Sequence, residues 1–264
     1  MNAFEILDAH THVGSAASTW SFSDHDYTAE ELVDHMDRCG VTAAVLMGGG
    51  RPDTLPLMNE RCREAVSAYP HRFFGFVRVH PYLPAWEAEL ELYVMEHGFR
   101  GIKLHPTQDA YEILDFRVDR VMERAAAWKL PVMVHSGTIP YAMPGQIADL
   151  AARHPDVTVI MAHAGSLELY QHAIPSAQRV SNLILEFSML IPSAARRAID
   201  AIGADRVLYG SNWPATSMRT WIETVKSLPT FTDLEKANLM GRNLRRLIDA
   251  SGPSGSVGEQ DANH

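Results

Sequence analysis

Eight short apolar runs of β character alternate with amphipathic segments along almost the whole chain, and this alternation restricts the fold more than any other feature. We place the strands at residues 4–9, 42–48, 73–79, 101–104, 131–135, 157–163, 183–188 and 206–210. Strands that alternate with helices predict parallel βα units. Eight such units in 264 residues favour a single closed α/β barrel, the (β/α)8 or TIM barrel, whose usual length is about 250 residues. No GxGxxG motif follows the first strand, as an open dinucleotide-binding sheet would require.

The segment 28–40 shows the helical part of the alternation most clearly. Thr28 and Glu31 have the spacing of a capping box, and Gly40 is typical of the residue that ends a helix. The segment 114–130 has the same helical periodicity. These local signals support helices between the strands.

The barrel accounts for nearly all of the sequence, so we expect one domain over residues 1–250. Residues 251–264 are polar and rich in Gly and Ser. Such a composition at a chain end favours a disordered tail without a function of its own.

Charge and composition exclude several classes of partner. The formal net charge is −9, and an acidic surface repels nucleic acid and anionic lipid. No apolar stretch reaches the roughly 18 residues of a spanning helix, and the N-terminus lacks the pattern of a signal peptide. We therefore expect a cytoplasmic protein that binds neither nucleic acid nor membrane. Cys39 and Cys62 form no disulfide framework and no CxxC metal site, and we expect both to be reduced.

Four histidines stand where predicted strands end. His10 and His12 follow the first strand, and residues two apart on a strand project to the same side. His135 closes the fifth strand and His163 the sixth. Strand C-termini converge at the mouth of a barrel, where active sites of this fold lie. The pattern therefore predicts a shared metal site, because several neutral imidazoles can bind one borderline-soft ion.

The motifs around these residues resemble a known family. They are DAHTHVG (8–14), GIKLHP (101–106), VMVHSGT (132–138), MAHAG (161–165) and LYGSNWP (208–214). Their order and character resemble the amidohydrolase superfamily, in its amidohydrolase-related branch (amidohydrolase 2). That branch includes small hydrolases, lactonases and decarboxylases of the aminocarboxymuconate-semialdehyde type. The resemblance extends over about residues 4–248.

The resemblance implies roles for the histidines. It makes His10, His12 and His135 metal ligands and His163 the catalytic residue that polarises the substrate or activates a water molecule. The implied cofactor is Zn²⁺, with Mn²⁺ as the alternative. Asp8 lies two residues before His10, and it is either an acceptor for a ligand imidazole or a residue on the other face of the strand.

The sequence departs from the family at residue 212. Family members usually carry there an Asp that binds the metal and transfers a proton, whereas this chain has Asn212. An amide oxygen can still contact a metal, but it carries no charge and cannot act as a base. We therefore keep Asn212 as a candidate metal ligand and catalytic residue. Three explanations stay open: a natural Asn in a working enzyme, an engineered change, and a barrel that has lost its activity.

Several residues near the predicted mouth are candidates for substrate binding. Cations there can hold an anionic substrate, and aromatic residues in loops can shape a pocket for a cyclic one. The candidates are Lys103, Arg78, Arg51, His105, Trp20, Phe22 and Trp213.

Our leading functional hypothesis is hydrolysis of a small ester, lactone or amide by a zinc-activated water, with His163 as general base and then acid. The first alternative is metal-dependent, non-oxidative decarboxylation of a small aromatic or unsaturated acid. The second is an inactive barrel that binds a metal or ligand. For all three we expect a small-molecule partner, cyclic or carboxylated, and a homo-oligomer, a dimer.

Overall fold

The computed structural model describes residues 4–15, 25–50, 52–189 and 192–253. Nine strands lie within these ranges and form one sheet in the order β2-β1-β3-β4-β5-β6-β7-β8-β9. The strands are β1 (Leu7–Ser15), β2 (Asp26–Tyr27), β3 (Ala43–Gly48), β4 (Phe73–Arg78), β5 (Gly101–Leu104), β6 (Val132–His135), β7 (Val159–Ala162), β8 (Leu183–Glu186) and β9 (Val207–Leu208).

The sheet closes into a barrel where β1 meets the end of the last strand, β9. β1 pairs in parallel with β3, and on its other edge it meets the chain that follows β9. Ala9 N donates to Tyr209 O at 3.0 Å, and His12 N donates to the carbonyl oxygen of Trp213 at 3.0 Å. Eight parallel strands thus form a closed barrel, to which β2 adds a short antiparallel pair with β1. The predicted α/β TIM-barrel fold is confirmed.

Helices follow the barrel strands and cover the outside of the sheet. They are α1 (Ala29–Cys39), α2 (Leu55–Ala68), α3 (Trp86–Met95), α4 (Pro106–Asp109), α5 (Phe116–Ala127), α6 (Pro144–Arg153), α7 (Ser166–Gln178), α8 (Pro192–Ile202), α9 (Met218–Ser227), α10 (Asp233–Ala237) and α11 (Asn243–Asp249). None of the helices within the described ranges is both long and apolar enough to cross a membrane.

The start and end of α1 match the sequence signals. The Thr28 side chain accepts from Glu31 N, the Glu31 side chain accepts from Thr28 N, and Gly40 adopts a left-handed conformation with φ 70°. The predicted capping box and helix stop are both present. Cys39 at the end of α1 and Cys62 in α2 are free thiols.

The first strand is longer than predicted. The apolar run ends at residue 9, but β1 continues to Ser15. The polar residues of this extension keep strand geometry because hydrogen-bonding partners flank them on both edges, in β3 and in residues 209–213. His10 and His12 therefore lie on a strand held from two sides, which limits their movement.

Large side chains fill the lower part of the barrel interior, and polar ones occupy the upper part. Leu7, Val45, Phe76, Met133 and Ile160 belong to one buried apolar cluster inside the strands. This apolar cluster positions the site because it fixes the register of the strands that carry the polar residues above it.

The end of the described chain packs against the barrel. Arg100 Nη1 donates to Ser251 O at 2.8 Å, and both Ser251 and Gly252 are buried. Residues 254–264 of the expected tail lie outside the described residues.

Gly101 has no side chain, and the ring of Phe76 fills the space beside it inside the barrel. A Cβ on Gly101 would lie 2.5 Å from Phe76 Cζ. We expect Gly101→Ala to destabilise the protein by about 1–3 kcal/mol through overpacking, measured as a lower midpoint of urea unfolding. Gly145→Ala in α6 is the matched control, because an added Cβ there has no neighbour within 4 Å. Equal midpoints for the two variants would show that this packing constraint does not exist.

Candidate active site

Four imidazoles meet inside the barrel at the C-terminal ends of its strands. His10 and His12 come from β1, His135 ends β6, and His163 follows β7. The ring centroids of His10 and His12 are 5.0 Å apart, those of His10 and His163 4.7 Å, and those of His135 and His163 4.8 Å. The structure thus brings together four residues that the sequence separates by up to 153 positions, from residue 10 to residue 163.

The carboxylate of Glu186, at the end of β8, orients two of these residues. Its Oε2 lies 2.9 Å from His10 Nδ1 and accepts from His163 N at 3.1 Å and from Ser188 Oγ at 2.9 Å. Its Oε1 accepts from Ser188 N. Gly210 makes this arrangement possible, because a Cβ there would collide with the carboxylate. Glu186 is fully buried, and hydrogen bonds replace the water that it loses.

These contacts determine which nitrogen of each ring carries the proton. Ser188 has one hydroxyl hydrogen, which it donates to Glu186, so its Oγ accepts from His163 Nδ1 at 2.7 Å. His163 Nε2 is then unprotonated and accepts from His135 Nδ1 at 3.2 Å. His10 donates from Nδ1 to Glu186. The Nε2 atoms of His10, His135 and His163 therefore all carry lone pairs.

His12 has the same tautomer for a different reason. Its Nδ1 donates to Met47 O at 3.1 Å, which leaves a lone pair on Nε2. That Nε2 lies 3.2 Å from Asn212 Oδ1. Asn212 has φ 57°, a left-handed conformation that Asn tolerates, and its N donates to His10 O at 2.8 Å. His12 Nε2 and Asn212 Oδ1 both carry lone pairs, and at a separation of 3.2 Å they are placed to act as two ligands of one cation.

All four imidazoles are held in the neutral form that binds a metal. Burial is the main reason that the pKa of each lies below its ordinary value, and it lowers that of His12 to about 4. The charge of Lys103 is the second cause for His10, His12 and His135. Neutral imidazole nitrogens and an amide oxygen are a donor set that fits Zn²⁺ or Mn²⁺. In donor type and protonation state, the residues present therefore fit the metal that the family motifs imply.

The proposed ligands His10, His12 and His135 are not the grouping whose ligand atoms lie closest together in the described residues. Within the described residues, His10, His163 and Glu186 offer ligand atoms that all lie within 4.8 Å of one another. The lone pairs of Glu186 are already engaged by one ring, two backbone N–H groups and one hydroxyl. We therefore interpret this carboxylate as the group that orients the histidines from behind.

Asp8 does not contact an imidazole, although the sequence left this role open. Its Oδ1 accepts from the backbone nitrogens of His10 and Ser211, each at 2.9 Å. Burial raises the pKa of Asp8 to about 7. The imidazole acceptor is Glu186, and the sequence signal for it is the pair of polar residues, Glu186 and Ser188, that share one face at the end of an apolar strand.

Two of the predicted substrate-binding residues are engaged by the protein itself. Arg78 is buried, and its guanidinium forms an ion pair with Asp109 at 2.5 Å and donates to Gly50 O. His105 stacks on His135 with ring centroids 3.9 Å apart, and its Nδ1 accepts from Gln108 N at 3.3 Å. These two side chains form the wall of the site at β4 and β5.

The remaining candidates are distributed differently. Lys103 on β5 is 1% exposed, and burial lowers its pKa to about 7. Trp213 packs edge-on against Tyr27, with ring centroids 5.2 Å apart, in the wall beside β1. Arg51, Trp20 and Phe22 lie outside the described residues.

Solved structures with the same fold cover nearly the whole chain. An uncharacterized TIM-barrel protein from Bordetella bronchiseptica has a TM-score of 0.79 at 20% identity, covering 93% of this chain and 99% of its own. The 5-carboxyvanillate decarboxylase from Sphingomonas paucimobilis has 0.72 at 16%, covering 94% and 99%. A probable 2-pyrone-4,6-dicarboxylic acid hydrolase from Acinetobacter baumannii, solved with citric acid, has 0.68 at 18%, covering 93% and 99%. At these identities the likeness shows the fold alone.

Sequence comparison identifies the family. No curated protein matches the chain significantly. The amidohydrolase family model (amidohydrolase 2) matches residues 7–249, which include every motif quoted above. The resemblance found in the motifs is thereby confirmed: this chain belongs to the amidohydrolase family.

Proposed function

We propose that the protein is a metal-dependent hydrolase of a small ester, lactone or amide. The observation that carries this proposal is the convergence of four neutral imidazoles whose Nε2 atoms all bear lone pairs. In the proposal, His10, His12 and His135 hold a Zn²⁺ ion, or alternatively Mn²⁺, and the amide oxygen of Asn212 assists them. When bound, the ion supplies Lewis acidity toward a carbonyl or a water molecule.

His163 is the proposed general base. Its Nδ1–H donates to Ser188, so Nε2 is its basic nitrogen. The Nε2 lone pair accepts from His135 Nδ1 at 3.2 Å and has to exchange this contact for a water molecule before it takes a proton. When Nε2 takes a proton from water, the positive ring is stabilised through Ser188 by the carboxylate of Glu186. His163 then returns the proton from the same atom to the leaving oxygen or nitrogen. Asn212 cannot share this task, so proton transfer depends on His163.

The runner-up is decarboxylation of a small aromatic or unsaturated acid in the same site. The observation that favours it is the buried charge of Lys103 beside the histidines, which suits an acidic substrate. A decarboxylase is also among the structures that share the fold.

An inactive binding barrel stays an alternative because of Asn212. The dimer and the cytoplasmic location stay predictions.

The metal site can be tested by metal analysis of the purified protein. We expect about one equivalent of Zn²⁺ or Mn²⁺, and its loss in His12→Ala because a ligand is removed. His172→Ala, an exposed position on α7, is the matched control and should keep the metal. A wild-type protein without stoichiometric metal after incubation with either ion would contradict the proposal and favour an inactive barrel.

The role of residue 212 can be tested with Asn212→Asp. A carboxylate adds a negative charge beside the cation, and we expect metal binding to tighten about 10-fold or more. Affinity is measured by competition with a chelating indicator, and turnover with a panel of esters, lactones, amides and aromatic acids. Equal metal affinity in the two proteins would show that residue 212 does not contact the ion.

Substitutions at Glu186, which contacts His10, and at Ser188, which contacts His163, should change different measured quantities. Glu186→Gln removes the negative charge behind the His10 ring and replaces one of the two acceptor oxygens with an NH2 donor, and we expect metal affinity to fall about 10- to 100-fold. Ser188→Ala removes the acceptor of His163 Nδ1, and we expect kcat to fall while the metal content stays unchanged. An unchanged kcat in Ser188→Ala would contradict the stabilisation of protonated His163 through Ser188 and Glu186.

A further inference from the structure

Buried polar atoms without a hydrogen-bond partner concentrate on one side of the site. Within the described residues they include, in β4, β5 and the helix that follows β5, Arg78 Nε, Lys103 Nζ, Thr107 Oγ1 and Asp109 Oδ2. Buried polar atoms in folded proteins are nearly always hydrogen-bonded. Such a concentration beside a reaction centre indicates that a polar ligand or water completes it.

Lys103 points into the barrel interior. Its neighbours across the sheet are Arg78 on β4 and Met133 on β6, and Met133 belongs to the interior cluster. Gly101, two residues earlier on the same face, abuts Phe76 of that cluster. The ammonium group of Lys103 therefore lies in the layer above the apolar core, and its charge acts on His10, His12 and His135.

The charge of Lys103 has no direct counter-ion in the described residues. The charge of Glu186 acts to raise its pKa, but the two groups form no ion pair within 4.0 Å, and the Glu186 oxygens accept from other donors. Arg78, in contrast, is neutralised by Asp109. A buried amine without a partner holds its charge best when an anion joins it, so the Lys103 amine is available to an anionic ligand, whereas Arg78 is already paired.

We propose that Lys103 anchors an anionic group of the substrate, a carboxylate, while the reacting carbonyl lies at the histidine centre. This inference rests on the proposed function and narrows its substrate class to small carboxylic acids that also carry an ester, lactone or amide. Lys103, and not Arg78, is the specificity-determining cation. The carboxylate enters on the β5 side, next to His105 and His135.

The test compares ligands that differ only in one charge. Monomethyl and dimethyl esters of succinic, glutaric and phthalic acid are titrated calorimetrically into the metal-loaded wild type, Lys103→Met and Lys103→Arg. For at least one acid, the wild type should bind the monoester at least about 10-fold more tightly than the diester. Lys103→Met should abolish this preference without weakening diester binding, and Lys103→Arg should retain part of it.

Two outcomes overturn the anchor: no preference for any monoester in the wild type, or the same preference in Lys103→Met. If Lys103→Met does not fold, the absence of a preference in the wild type still overturns the anchor, and an unchanged preference in Lys103→Arg takes the place of the second outcome. Turnover of the same esters separates this inference from the proposed function. Monoesters that bind through Lys103 without being hydrolysed contradict hydrolysis alone. Hydrolysis of both esters with equal KM in wild type and Lys103→Met contradicts the anchor alone.

Discussion

The carboxylate of Glu186 links three strands of the barrel at the level where the chemistry takes place. It receives the ring of His10 from β1, the backbone of His163 after β7, and both donors of Ser188 beyond its own strand β8. A carboxylate inside a barrel is stable only when donors replace the lost water. Here the donors are parts of the site itself, so one buried charge sets the tautomers and orientations of the groups that would bind a metal and move a proton.

Charge is distributed unevenly around this centre. The imidazoles are neutral because burial disfavours their protonated forms, and the cations stand on the β4 and β5 side. One of them, Arg78, is tied to Asp109, whereas the amine of Lys103 has no hydrogen-bond partner in the described residues. A divalent ion among neutral ligands would add further positive charge. A site of this kind favours substrates that bring negative charge, in the ground state or as it develops on a carbonyl oxygen.

The sequence predicted the barrel and the four histidines, because both depend on local patterns. Strand and helix periodicity can be recognised in consecutive residues, and parallel strands place their C-terminal ends at the same end of the barrel. Contacts across the barrel were not predictable in this way. The partner of His10 lies 176 positions away, and only closure of the sheet brings Glu186, and not nearby Asp8, to its ring. In the same way, Asp109 engages Arg78 from the end of the short helix α4, which the sequence did not predict, and β1 extends past its apolar run because two neighbours hold it.

The most direct test of this account is a crystal structure of the metal-supplemented protein with anomalous data collected at the zinc edge. The account predicts a single strong anomalous peak within bonding distance of His10, His12 and His135 Nε2, with Glu186 still hydrogen-bonded to His10 Nδ1. A map without a peak among these imidazoles, or with the ion bound to Glu186 instead, would contradict it.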